Sequence, residues 1–462
     1  MNNNIQEILK QIRETDVNEL FPNSNVKMVG WGPKIKDGKE TGEYALIVYV
    51  DKKQPSWQVP ENQLIPSLYT FSNVDYITDV QVPQLHEHLN TPSNKRGFIS
   101  HYDVAKNAKA NKSNTTDRQQ AAEILTYGDC NTVSDTVEPV KTNRIRRRAL
   151  RAGCESIGGA NTWGSYVGTL GTFVLDKSDR QVVALSNNHV FGSSQARANV
   201  PNTVFTNTSK LSAYQPSGYW KTTIENDYIG MCKRPVVIGN INSSVTSGII
   251  GSTSCDASIV SLKDNNLLND ISAQPIGFNS DQVFYKEFAT DQEIDSLLNP
   301  TSINFGAPVF RSGRTCGPIG YPGTTTTCSL SVYQFSPTLV GGYNGYVASF
   351  TDCFFFRGTT VPGRGGDSGS MVLALFNQGT SEERWKIIGL LFAGPASQFP
   401  EYSIGCRITN IARDLGVVPW NGVTLPTTAS ETRYVVLNST QSNNYSATVS
   451  LSGRTFYQLG KS

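Results

Sequence analysis

The chain has 462 residues, 38% of them apolar and 17% charged, and 40 basic against 38 acidic side chains leave a formal charge of +2. That length predicts two or three domains and a core large enough to need neither disulfides nor a metal. The near-neutral balance predicts neither nucleic acid nor a membrane surface as partner, and no apolar run reaches the roughly 18 residues of a membrane-spanning helix.

The N-terminus, MNNNIQEILKQIRETD, lacks the basic-then-apolar pattern of a secretory leader, so a cytoplasmic location is expected. Ile5, Ile8, Leu9 and Ile12 share one helical face, which predicts a short amphipathic helix docked on the body. NVKMVGWGPKI and YALIVYVDKK read as strands joined by the polar turn KDGKETGE, with VDYITDVQV as a third. The second run is almost continuously apolar, as in a strand buried on both faces. Helix and strands together predict a small α/β domain over residues 1–90. At its end, His86, Glu87 and His88 with His101 could be taken for a metal cluster, since alternate strand residues share a face. No fourth ligand is evident, so exposed polar residues and no metal are expected.

Residues 91–158 read as a polar and basic linker. It holds one short helix around 118–126 and a cluster of Arg144, Arg146, Arg147, Arg148 and Arg151. Processing by a basic-specific protease, or contact with a polyanion, are its functional alternatives. Residues 159–420 contain many short strands between Gly, Pro, Ser and Asn clusters, which argues for a sandwich or barrel. Only EIDSLLN and ITNIARDLGV are helix-like there. Residues 421–462 begin with the linker TLPTTAS and continue as three short alternating runs, a small β-rich extension. Eight cysteines are an ordinary density and predict buried thiols. Cys316 and Cys328 flank a Gly/Pro/Thr-rich turn and would pair only in an oxidising compartment.

The segment GRGGDSGSMV at 363–372 carries the strongest chemical signal. A nucleophilic hydroxyl must sit on a tight exposed turn, and glycines permit that turn and the approach of a carbonyl. The N–H groups of Gly366 and Ser368 are the candidate oxyanion donors. A serine nucleophile needs a base. Of four histidines, His86, His88 and His101 precede the β-rich region, and only His189, at the end of ALSNNHV, lies within it. The base needs a carboxylate to orient it. Asp256 opens an apolar strand, where an unpaired charge is costly, and Asp227 is the alternative.

The order His189, Asp256, Ser368 resembles that of chymotrypsin/trypsin-like serine peptidases. The similarity is greatest to bacterial trypsin-like peptidases with an N-terminal accessory domain. It is carried by GTLGTFV (168–174), LSNNHV (185–190), DASIV (256–260), GRT (313–315), GDSGS (366–370) and GLLFAG (389–394). Upstream, Val29 to Lys34 and Tyr44 to Lys53 match the accessory domain with Trp31 and Pro33 as variations. The resemblance spans about residues 24–85 and 160–418. It implies a mainly β fold in which residues 159–420 form two six-stranded antiparallel β-barrels. It implies peptide hydrolysis through an acyl-enzyme, with His189 as base then acid, Asp256 orienting it and Ser368 attacking. It requires no cofactor and takes a protein or peptide substrate.

The same resemblance assigns Phe392, Ala393 and Gly394 to the substrate groove, as a short edge for β-pairing. It makes Asp367 the acceptor of a cleaved N-terminus, and residues 151–159 are faintly similar to such a cleavage region. Pro362 stands where trypsin has the acidic floor of its specificity pocket, so the preferred side chain stays open. By analogy such an enzyme activates a partner by limited proteolysis, as in antiviral defence, with its extensions meeting a regulatory partner or holding the peptidase in check. The alternatives are a silent binding scaffold of the same fold, or a peptidase that cuts only its own linker.

Overall fold

The computed structural model describes residues 4–23, 25–88, 150–153, 155–158, 168–191, 212–214, 228–236, 253–263, 284–320, 329–343, 346–359, 362–395 and 401–420, with short pieces at 238, 271–272, 275, 278, 433–435, 449–451 and 454–458. The expected helix at 118–126, the arginines at 144 and 146–148, His101, Asp227 and Cys328 lie outside these residues.

The chain opens with helix α1 (Asn4–Glu14). Its apolar positions repeat at helical spacing, and Ile8 and Leu9 are buried in the main core, with Ile5 and Ile12 packed at its margin. Each such aliphatic side chain contributes about 1.5–3 kcal/mol on burial. Arg13 in the last turn donates to both oxygens of Asp295 at 2.7 and 2.6 Å. Arg407 reaches the same carboxylate at 2.9 Å, so a largely buried ionic cluster fastens the helix to the body.

Strand β1 (Val26–Lys36) turns back into β2 (Lys39–Val50) through Asp37 and Gly38. Both turn residues have positive φ (53° and 74°), the conformation that matches a two-residue turn to strand twist. β3 (Leu68–Phe71) and β4 (Val74–Gln81) form a second tight hairpin, with Ser72 and Asn73 at φ 49° and 62°. β4 lies parallel to β2, whose residues from Ala45 to Val50 are buried throughout. β5 (Leu85–His88) follows.

These strands do not form a sheet of their own. β1 pairs with the Leu330–Tyr343 strand at Trp31 and Phe335. The result is one 13-stranded sheet that runs from Gly317–Ile319 through Val309–Gly313, Met371–Phe376, Arg384–Gly394, Tyr402–Arg407, Tyr346–Gly358 and Leu330–Tyr343 to β1, β2, β4 and β3. An 8-stranded sheet contains Thr172–Asp176, Val182–Ser186, Ser258–Leu262 and Tyr228–Pro235 as its central neighbours. The smaller sheet is an open path among the described residues, whereas in the larger one β5 lies off the path and pairs with both the Leu330–Tyr343 and Arg384–Gly394 strands. The fold is mainly β, and two separate six-stranded barrels are not distinguished among the described residues.

The smaller sheet is apolar on both faces. Val174, Val183 and Leu185 join the core of the large sheet, while Phe173, Leu175, Val182 and Ala184 join a second cluster with Trp420. Alternate residues therefore feed opposite cores, as strand geometry requires. The two sheets meet across the first core, and the candidate site lies where they meet. The Ile408–Leu415 helix ends at Gly416 in the left-handed region (φ 61°), closing this part of the chain. Near the C-terminus, Arg433–Val435 and Val449–Leu451 flank Arg454–Gln458 in a separate three-stranded sheet. Among the described residues no helix is long and apolar enough to cross a membrane.

Candidate active site

His189 sits in the short Asn188–Phe191 helix that follows the Val182–Ser186 strand. Asp256 immediately precedes the neighbouring Ser258–Leu262 strand, and Ser186 pairs directly with Ser258. Strand register thus delivers the two side chains to one end of the sheet. His189 Nδ1 lies 2.7 Å from Asp256 Oδ2, and both side chains are fully buried. The His189 backbone N–H also donates to Asp256 Oδ1 at 3.1 Å. Both carboxylate oxygens are therefore turned toward the same residue.

The backbone around Asp256 is held as firmly. Asn187 Nδ2 donates to the Asp256 carbonyl at 2.6 Å, and Ser258 Oγ donates to the Asn187 carbonyl at 3.0 Å. The Asp256 N–H points at Cys406 Sγ, 3.2 Å away. Burial pushes the Cys406 thiol well above its ordinary range, as it does for Cys255, so both stay protonated acceptor or filler groups. Cys232, Cys255, Cys353 and Cys406 are buried thiols. Cys316 is buried as well, and its suggested partner Cys328 lies outside the described residues.

Ser368 stands on a turn between Pro362 and the Met371–Phe376 strand, with Gly366 and Gly369 at φ 95° and 92°. Only glycine takes such angles without strain. The turn is tied to the His189 sheet by short bonds. Thr169 N–H donates to the Ser368 carbonyl at 2.8 Å. Thr169 Oγ1 donates to the Gly366 carbonyl at 2.9 Å, and Ser186 Oγ donates to the Thr169 carbonyl at 2.6 Å. Gly168 fills the remaining gap. A Cβ there would stand 2.4 Å from Val190 and 3.0 Å from the Ser368 carbonyl, so this glycine sets how closely the serine turn approaches the histidine helix. Ser368 Oγ donates to the Phe392 carbonyl at 3.4 Å.

Asp367 has all its partners within the intact chain. Its Oδ1 accepts from the N–H groups of Thr315 (2.8 Å) and Cys316 (3.1 Å), and its Oδ2 accepts from Arg364 N–H (3.0 Å). The fully buried Arg311 guanidinium lies 3.3 Å from Oδ2. Arg311 Nε also donates to the Pro362 carbonyl, so one arginine braces both ends of the serine turn.

Phe392, Ala393 and Gly394 are at the end of the Arg384–Gly394 strand, and they do not form an empty edge. Ala393 pairs with His88 and Gly394 with Glu87, both antiparallel. β5 also pairs in parallel with Leu339, Val340 and Gly341 on its other side. His86, expected to be an exposed polar residue, is only 5% exposed. Its Nδ1 meets Thr338 Oγ1 at 2.7 Å and its Nε2 meets Tyr402 Oη at 2.9 Å. Burial pushes its pKa down to about 4. That expectation failed because HEH shows no apolar alternation, whereas the imidazole is buried by satisfying both nitrogens.

The structure therefore joins His189 to Asp256 directly and sets the Ser368 turn against them. Sequence reasoning missed Arg311, Thr169, Asn187 and the pairing of β5. Asn187 was the most visible of these, as an amide closing an otherwise apolar strand. Among the described residues no group of three His, Cys, Asp or Glu side chains is placed to hold a metal.

No protein-family model matches the chain, and no relative is found among curated proteins. Among solved structures the chain is similar to Thermobifida fusca protease A, with 14% identity over 59% of this chain and 99% of the other and a TM-score of 0.29. It is similar to a glutamic-acid-specific serine protease described as using a novel histidine triad in substrate binding (11% identity, 59% and 100% coverage, TM-score 0.30). It is also similar to Cellulomonas bogoriensis chymotrypsin (12% identity, 59% and 98% coverage, TM-score 0.30). Likeness at these TM-scores adds nothing to the geometry of the site itself.

Proposed function

We propose that the chain is a serine endopeptidase whose catalytic residues are His189, Asp256 and Ser368, on a core that corresponds to two six-stranded β-barrels. The observation that carries this reading is the buried His189–Asp256 pair at 2.7 Å, with the Gly-Asp-Ser-Gly turn bonded to the same sheet through Thr169. Asp256 fixes the imidazole with its proton on Nδ1, which leaves Nε2 as the basic nitrogen. Ser368 Oγ attacks the substrate carbonyl and its proton passes to Nε2. Asp256 stabilises the imidazolium, and the N–H groups of Gly366 and Ser368 receive the charge that develops on the carbonyl oxygen. The imidazolium returns the proton to the leaving amine. Water, deprotonated by the same nitrogen, then releases the acid from the acyl-enzyme.

The Arg311–Asp367 pair supports activity without N-terminal processing, since the aspartate that would accept a new terminus already has a cation beside it. The reading needs no cofactor. The physiological substrate is proposed to be a protein cut at limited positions.

The test is labelling with a fluorophosphonate probe. Wild-type protein is expected to react and Ser368→Ala is not. Equal labelling of both would put the reactive group elsewhere than Ser368, and none in either would leave the fold as a scaffold; either outcome overturns the assignment.

A further inference from the structure

We propose that β5 is the protein's own occupant of the peptide groove on the acyl side of the scissile bond, and that the pocket around His86 is a subsite selecting histidine in the peptides that displace it. This rests on the serine-peptidase reading for the side of the bond. It does not depend on that reading for the occupancy itself.

The first observation is direction. On the serine-peptidase reading, a substrate's acyl-side segment adds antiparallel to this edge with its carboxyl end toward the serine. β5 runs this way. Glu87 lies opposite Gly394 and His88 opposite Ala393, so the strand advances toward Phe392. The Phe392 carbonyl is the one that accepts from Ser368 Oγ at 3.4 Å. β5 thus ends one pair short of the residue that touches the nucleophile.

The second observation is how the strand is anchored. Its backbone is paired on both sides, to the Arg384–Gly394 strand and to Leu339, Val340 and Gly341. An extended peptide captured between two strands gains affinity from main-chain bonds of any sequence. Selectivity must come from side chains, and these alternate between faces. Leu85 is 44% exposed, whereas His86 is 5% exposed.

The third observation is the chemistry of the pocket. The His86 ring stands edge-on to Phe355 and Tyr402, each with centroids 5.8 Å away. One ring nitrogen meets Thr338 Oγ1 and the other Tyr402 Oη. Tyr402 in turn donates to Gln84 Oε1 at 3.1 Å. Only an imidazole offers two polar nitrogens on opposite sides of a small flat ring. An apolar side chain would take from Thr338 Oγ1 its imidazole partner and from Tyr402 Oη one of its two, and sites that lose such bonds discriminate against the analogue.

Because β5 is covalently attached, its effective concentration at the groove is about millimolar, and a free peptide of micromolar affinity meets a standing competitor. The groove is therefore self-occupied at rest, and release of β5 gives a second peptide access.

The test uses full-length Ser368→Ala protein, in which peptide is bound and not cut. It is titrated with a fluorescent amidated peptide of sequence Leu-His-Glu-His-Leu and read by anisotropy. Adding His86→Ala to the protein is expected to tighten binding about tenfold or more by weakening the internal competitor. Replacing the first histidine of the peptide by alanine is expected to weaken binding to that protein by a similar factor. Equal affinity of the two proteins, equal affinity of the two peptides, or no binding to either protein overturns the proposal. If His86→Ala impairs folding, hydrogen exchange of the Ser368→Ala protein with millimolar peptide replaces it. Faster exchange confined to residues 85–88 is expected, and unchanged exchange overturns the proposal. A wrong catalytic assignment would show separately, as absent fluorophosphonate labelling of wild-type protein with peptide displacement intact.

Discussion

Two aspartates show how differently a buried carboxylate can be used. Asp256 meets His189 through both of its carboxylate oxygens, while its backbone is fixed by Asn187 and Cys406. Asp256→Asn should therefore keep the fold but present the wrong partner to Nδ1, lowering kcat by about 10⁴ with little change in Tm; steady-state kinetics beside a melting curve checks this. Asp367 instead accepts three backbone N–H groups beside a buried guanidinium. Arg311→Met removes the cation, leaves the buried carboxylate uncompensated and should cost about 3–5 kcal/mol of stability. It should also slow labelling of Ser368, because the Pro362 end of the turn loses its brace. Denaturant unfolding and labelling rates measure the two effects, and a stable, fully reactive variant would refute the role. The sequence showed His189 because no other histidine lies in the β-rich region, and Asp256 because a charge opening an apolar strand needs a partner. It hid Arg311, since nothing around PVFRSG distinguishes a buried cation from a solvated one until the serine turn packs against it.

The strands were legible where local chemistry decides them. Asp37-Gly38 is a turn signal in its own right, and the run from Ala45 to Val50 is too apolar for anything but burial. β5 was illegible for the opposite reason. Leu85 to His88 has no apolar period, and the strand exists because two distant edges supply its hydrogen bonds. Its anchor makes it sensitive to acid. Burial holds His86 at a pKa of about 4, against about 6.5 in an unfolded chain. Between those values the unfolded state binds more protons, so stability falls as pH drops through that window and is complete above it. The full difference is about 3 kcal/mol. Exchange protection of the β5 amides, corrected for intrinsic rates, should decline from pH 6.5 to 4 in wild type. A profile independent of pH would show that the ring does not hold the strand.

At the scale of the molecule, the division into an accessory unit, a linker, a peptidase-like unit and a C-terminal extension rests on changes in composition along the chain and on the family resemblance. Composition reports what each segment is made of and not which segments share a sheet. The structure joins residues 26–88 to the strands around the candidate site by backbone pairing at Trp31 and along β5, and α1 is held to the same body by its own buried contacts. None of these contacts is made by residues 89–149. A single protease site engineered into that interval should accordingly yield two fragments on a denaturing gel and one species by size exclusion, with the fragments parting only on unfolding; two separate native peaks would contradict it. The protein is inherited as one polypeptide, yet a cut between residues 88 and 150 would turn its two pieces into the subunits of a heterodimer made in a fixed one-to-one ratio.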